Sequence, residues 1–200
     1  NLRRAFALSI PRSDITATLN RPGTEAGPTG LVDQIYSDWI APEYSGKVQE
    51  VDADAATAAL AASGYDVVDG ALVKDGKSYT PRISFNQDFG WNAYADIMIN
   101  SWKKVLGVTV APAGAPGATL YDQQKTGDFD LTIATTGGAG VYGVYGFLDS
   151  RYVEPLGTSV ATNIGRWGDP ETDEILTGMT EASDEEIERR SRIANADDVA

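Results

Sequence analysis

What is missing from this chain limits its chemistry first. Its 200 residues include no histidine and no cysteine. That excludes serine–histidine and cysteine–histidine catalysis, disulfides and thiolate zinc sites, and it removes the commonest metal ligand. No metal site and no cofactor is expected. Carboxylate, lysine and tyrosine remain for acid–base or covalent work. Asp88 and Asp149 flank the two most aromatic stretches. Two carboxylates meeting in one cleft could hydrolyse a glycosidic bond without histidine or cysteine.

The residues that could hold a ligand without reacting are better marked. "ATTGGAGVYGVYGFLDSRY" runs from Ala134 to Tyr152, and between residues 135 and 147 it carries five glycines, two tyrosines, one phenylalanine and no charge. Glycine lets backbone approach a ligand closely. The stretch is no phosphate cradle, since it lacks both a Gly-Lys-Ser/Thr ending and a Gly-x-Gly-x-x-Gly pattern opening a helix. Amides at Gly138 and Gly140, with the rings of Tyr142 and Tyr145, suit a neutral, hydroxyl-rich or mixed ligand. The plain alternative is a surface loop whose tyrosines pack on the protein. "FNQDFGWNAY" places Trp91 after a strand and before a helix, where its ring could stack on a sugar or a peptide side chain or plug the core beside Phe85. Trp102, mid-helix and in register with Tyr94, reads as core. In "TNIGRWGDPETDEIL", Asn163 and Arg166 are candidate contacts, although Arg166 could equally anchor its loop to nearby carboxylates.

These residues need elements to position them. Apolar residues at Leu2, Ala5, Phe6 and Ile10 make a helical stripe that Pro11 breaks, and Ser13 is placed to cap a second short helix. Residues 21–30 are a turn-rich loop. Asp52 opens an alanine-rich helix that stops at Gly64. Asp75-Gly76 lies between two β-prone runs, a hairpin signal. Residues 92–106 form an amphipathic helix ended by Gly107. A short strand at 108–111, a helix at 120–125 and a buried strand at 128–135 follow. Two helices, 169–180 and 184–196, come last, the first opened by Asp169 and Pro170. Strands alternating with helices define an α/β fold, and the glycine stretch leaves the carboxyl end of the last strand, where ligands of open α/β sheets sit.

Twenty-nine acidic against 16 basic side chains leave a formal charge of −13. Such a chain is not expected to bind nucleic acid or an anionic membrane surface. Nine acids lie between residues 169 and 188 with no base among them, a solvated helical face. No signal peptide and no run of eighteen apolar residues occurs. Both ends read as cut within helical patterns, so the chain is expected to be a portion of a longer protein.

Several segments, in order, resemble the family-5 extracellular solute-binding proteins of ABC importers, the oligopeptide- and dipeptide-binding type. "LRRAFALSIPRSDI" is similar to the family's arginine-bearing helix and following turn, with Pro11 where the family commonly has Asp. "VDADAATAALAASGY" resembles its alanine- and leucine-rich helix ending in Ala-Gly-Tyr. "NSWKKVLGVTV", "YDQQKTGDFDLTI" and "NIGRWGDPETDEIL" resemble the segments that follow. The resemblance implies a periplasmic-binding-protein-like lobe of the type II family-5 kind, a mixed β-sheet flanked by helices. Residues 1–200 would be most of the second, C-terminal lobe of a two-lobed protein. It further implies a non-enzymatic, monomeric substrate-binding component that delivers an oligopeptide or oligosaccharide to a membrane permease. Its place would be the periplasm or the cell surface, with a lipid anchor in a preceding region. Peptide binders of the family place an aspartate after the "FDL" strand to hold the peptide amine, but here no acid occurs between Asp130 and Asp149. Sugar-binding members show a Gly-Trp ahead of the long helix, which Gly90-Trp91 resembles. The expected ligand therefore leans to sugar, with Trp91, Tyr142 and Tyr145 lining the cleft. The rival readings are a carboxylate-dependent glycoside hydrolase using Asp88 and Asp149, and a non-catalytic adhesion or scaffold module.

Overall fold

The computed structural model describes residues 1–20, 36–135 and 145–179. The chain divides into two compact units. The first comprises residues 1–22, 49–121 and 129–134, and the second residues 23–48, 122–128 and 135–200.

The first unit begins with α1 (Leu2–Leu8) and α2 (Arg12–Thr18). Ser13 does not cap α2. Pro11 holds the N-cap position, and the Ser13 hydroxyl instead donates to the Glu50 carboxylate. Helix α3 (Ala53–Ala61) is capped as its sequence requires, the Asp52 side chain accepting from the Ala55 amide at 2.9 Å. It ends at Ala62, and Gly64, at φ +74°, lies in the turn beyond. Small residues bring α1 and α3 together: Ala5 and Ala56 are fully buried, and the Asp52 amide donates to the Leu8 carbonyl at 3.0 Å.

Strands β1 (Asp66–Val68), β2 (Ala71–Lys74) and β3 (Lys77–Tyr79) form an antiparallel sheet. Both turns are Asp-Gly pairs with positive φ at each residue, Asp69-Gly70 and Asp75-Gly76. That backbone twist matches a two-residue hairpin. The second was expected, and the first carries the same signal. A separate parallel sheet has the order β5-β4-β6, built from β4 (Arg82–Asn86), β5 (Ala111–Ala115) and β6 (Leu131–Thr132). Helix α4 (Asn92–Leu106) connects β4 to β5 and ends at Gly107, φ +72°. Its Trp102 is core, as expected: the ring meets Phe6 edge-on at 5.3 Å and its indole nitrogen donates to the Phe6 carbonyl at 2.9 Å. Ser101 adds a bond to the Ser9 carbonyl at 2.7 Å.

Two strand boundaries differ from expectation. Val108 and Val110 are buried but precede β5, which occupies Ala111–Ala115. Pro112 is tolerated there because β5 is an edge strand. Gly114 fits because a Cβ on it would stand 2.9 Å from the Phe85 ring. The last strand is two residues long rather than eight, although the Ile133 amide still reaches the Ser84 carbonyl at 2.9 Å.

Helix α5 (Gly117–Thr126) carries the chain into the second unit, where α6 (Tyr145–Leu148), a 3-10 turn at Ser150–Tyr152 and α7 (Pro170–Met179) follow. Ile40, Ala41, Leu148, Val160 and Leu176 are its buried apolar residues among those described. Helix α7 starts where Asp169 and Pro170 indicate, with the Asp169 carboxylate accepting from the Thr172 amide at 2.9 Å. The expected helix at 184–196 lies outside the described residues.

Candidate functional site

In the first unit, the carboxyl end of β4, central in the parallel sheet, leads into a short pinned turn. The Asn86 side chain is buried and accepts from the Asp88 amide at 2.9 Å. The Gln87 amide donates to the Ala115 carbonyl at 3.1 Å, Gly90 to Gln87 at 3.2 Å and Trp91 to Asn86 at 3.3 Å. The Asp88 carboxylate accepts from the Gly117 amide at 2.9 Å, tying this turn to the start of α5. Gly117 must stay small there, since a Cβ would lie 2.9 Å from the Asn86 side-chain amide. Gly90, at φ +70°, lets the chain reverse into α4.

Trp91 is half-buried. Part of it packs against the core cluster that contains Phe85, and the rest meets Phe89 with ring centroids 5.8 Å apart and planes inclined by 56°. The core packing expected of it beside Phe85 thus applies in part. Phe89 itself is 71% exposed. Sequence reasoning passed over it, although "DFGW" holds two large aromatics beside a turn glycine. Trp91 is also the N-cap residue of α4, whose first turn has no side-chain cap and no acid. The sheet, the turn and the helix start thus present aromatic surface and backbone amides together.

In the second unit the expected contacts have internal partners. Asn163 is fully buried, donating to the carbonyls of Asp149 at 3.0 Å and Trp167 at 2.8 Å and accepting from the Trp167 amide at 2.9 Å. Arg166, at φ +50°, donates to four backbone carbonyls: Glu154 and Ile164 at 3.1 Å, Lys125 at 3.0 Å and Thr158 at 3.1 Å. It anchors its loop, as one sequence reading has it, but through carbonyls rather than carboxylates. Tyr145 opens α6, and its ring lies outside the described residues, as do Gly138, Gly140 and Tyr142.

The two acids considered for hydrolysis are both occupied. Asp149 is buried, caps the Ser150–Tyr152 turn through the Arg151 amide at 2.9 Å, and pairs with the Arg151 guanidinium at 2.7 Å. Asp88 holds the Gly117 amide. Among the described residues no cluster of acids could hold a metal, and no helix is long and apolar enough to cross a membrane. A groove of about 780 Å³ in the first unit lies among Pro11, Asp14, Glu50, Ile97 and Lys104, and of the described candidates neither Trp91 nor Asn163 nor Arg166 lines it. Beside it, burial lowers the Arg12 pKa from its ordinary value, and Glu50 offsets part of that effect.

The chain is an α/β fold whose parallel strands feed a pinned aromatic turn, and the comparisons assign it to one family. The chain matches the bacterial extracellular solute-binding proteins, family 5, middle region, over residues 1–154, and it belongs to that family. The mannohexaose-bound periplasmic oligopeptide-binding protein of an ABC transporter from Thermotoga maritima has a similar fold, with a TM-score of 0.76 at 22% identity, covering 99% of this chain and 39% of that one. NikZ from Campylobacter jejuni, in complex with Ni(L-His), gives 0.75 at 19% identity, covering 99% and 38%. The oligopeptide-binding protein AppA from Bacillus subtilis, in complex with a nonapeptide, gives 0.69 at 20% identity, covering 99% and 40%. The chain therefore spans about two fifths of the length of these structures. No curated protein matches it by sequence.

Proposed function

We propose that the chain is the second lobe of an extracytoplasmic substrate-binding component of an ABC importer. It would capture a neutral oligosaccharide, or secondarily an oligopeptide, in a cleft closed hinge-wise against a first lobe. The observation that carries this reading is Trp91: in a chain of this family, it stands half-exposed at the carboxyl end of the central strand of a parallel sheet. Ligands of open α/β sheets sit at that end.

The lean to sugar rests on charge. The structures named above hold mannohexaose, a nonapeptide and Ni(L-His), so likeness of fold leaves the ligand class open. With no acid between Asp130 and Asp149, a peptide amine buried there would lack a carboxylate, at a cost of several kcal/mol. Gly138, Gly140, Tyr142 and Tyr145 are proposed contacts from the glycine-rich segment, while Asn163 and Arg166 act by holding the loop that bears them. No step of chemistry is required of the protein. It would work as a monomer in the periplasm or at the cell surface, lipid-anchored through a preceding region. It would hand its solute to a membrane permease driven by a separate ATPase.

The test is a thermal-shift screen of the full-length protein with neutral oligosaccharides and free-amine peptides, followed by mass spectrometry of ligand retained from the host. Ligand binding to the folded state raises the melting temperature. Stabilisation by sugars is the expected result, and Trp91→Ala should weaken sugar binding by at most a few kcal/mol. Stabilisation by peptides alone would remove the sugar assignment. Turnover of a chromogenic glycoside that is lost in Asp88→Asn would replace binding with hydrolysis.

A further inference from the structure

Phe89 has no role in the reading above, yet its setting is unusual for an exposed aromatic. Isolated apolar side chains on a surface need no explanation. Phe89 is not isolated: it is 71% exposed at the apex of a turn held by the bonds from Asp88, Gln87, Gly90 and Trp91, and its ring lies 5.8 Å from that of Trp91. Those bonds fix the backbone on both sides, so the ring is presented to solvent from a rigid base.

The 56° inclination between the rings bears on what they can hold. One flat ligand face cannot lie on both. Two successive rings of a twisted chain can, each laying its C–H face on one aromatic plane. Sugar units of an oligosaccharide have this property, since each is a stiff ring with an apolar face and is turned relative to the next. Charge argues the same way. No lysine or arginine occurs between residues 83 and 102, so a peptide carboxylate would find no cationic side chain from this stretch. Asp88, the nearest acid, already accepts from the Gly117 amide.

The geometry points to a two-ring platform, Phe89 with Trp91, that takes two consecutive units of a neutral oligosaccharide and makes Phe89 the residue that selects for chain length. This rests on the solute-binding reading and deepens it, adding a subsite that a single sugar cannot fill while it occupies Trp91.

The experiment is calorimetric titration of the full-length protein and its Phe89→Ala, Phe89→Tyr and Trp91→Ala variants with neutral gluco- and manno-oligosaccharides of one to six units. Phe89→Ala should weaken the longer sugars by about tenfold, the loss of one aromatic stacking contact, and leave single sugars unchanged. Phe89→Tyr, which keeps the ring, should bind as wild type does. Trp91→Ala should weaken every length. If wild-type protein binds sugars and Phe89→Ala binds all lengths equally well, the platform is wrong and the binding-protein reading stands. If wild-type protein binds only peptides, the sugar assignment and the platform fail together.

Discussion

Asn163 and Arg166 look like ligand contacts in the sequence because polar residues in a glycine-bearing loop are free to point outward. The structure gives them another task. Asn163 joins Asp149 to Trp167, residues fourteen and four positions away, through bonds that its buried amide alone supplies. Arg166 gathers carbonyls from residues 125, 154, 158 and 164. Neither pattern was legible, because the acceptors are backbone carbonyls, which every residue has and no sequence marks. Trp91 was legible as an aromatic between strand and helix. Removing Asn163 is therefore expected to be costly: Asn163→Ala takes away the partner of the Trp167 carbonyl and amide, at about 1–3 kcal/mol for each group that stays unsatisfied, while the Asp149 carbonyl keeps the Tyr152 amide at 3.2 Å. A thermal melt should show a clear loss of stability, whereas an unchanged melting temperature would mean that the amide does not hold this loop.

At the scale of elements, legibility follows how local the signal is. The α3 cap, the Asp75-Gly76 hairpin and the glycine end of α4 are all written in neighbouring residues, and each forms. Strand β5 is not written that way. "APAGA" has neither β-branched nor aromatic residues, and it becomes a strand because β4 supplies a parallel partner from Arg82↔Ala111 to Asn86↔Ala115. Tertiary pairing overrides weak local preference. Gly114 is the fitted position in that pairing. Gly114→Ala would place a methyl 2.9 Å from the buried Phe85 ring and force it to shift. Overpacking of that kind, less the backbone entropy gained, should destabilise by about 1–2 kcal/mol. Chemical denaturation reads this directly: a variant as stable as wild type would show that Phe85 moves aside freely.

For the molecule as a whole, the dominant physical fact is a formal charge of −13. Excess charge of one sign works against a compact state, and raising pH adds to it. Tyr79 identifies where alkaline sensitivity enters. Its pKa is raised above the ordinary tyrosine value, first by burial, then by the negative charge of Asp130 and by Tyr65. Asp130 is fixed there, accepting from the Arg82 amide at 2.8 Å. The sign follows from proton linkage. Tyr79 holds its proton more tightly in the folded chain than in the unfolded one, so its contribution to stability is complete below the unfolded value, about pH 10, and is lost as pH rises through the folded value. Wild-type protein should therefore lose stability above about pH 10 more steeply than Tyr79→Phe, which cannot ionise at that position. The two proteins differ only in this phenol, so the difference between the two curves isolates Tyr79. Parallel curves across this range would show that its phenol feels neither the burial nor the carboxylate.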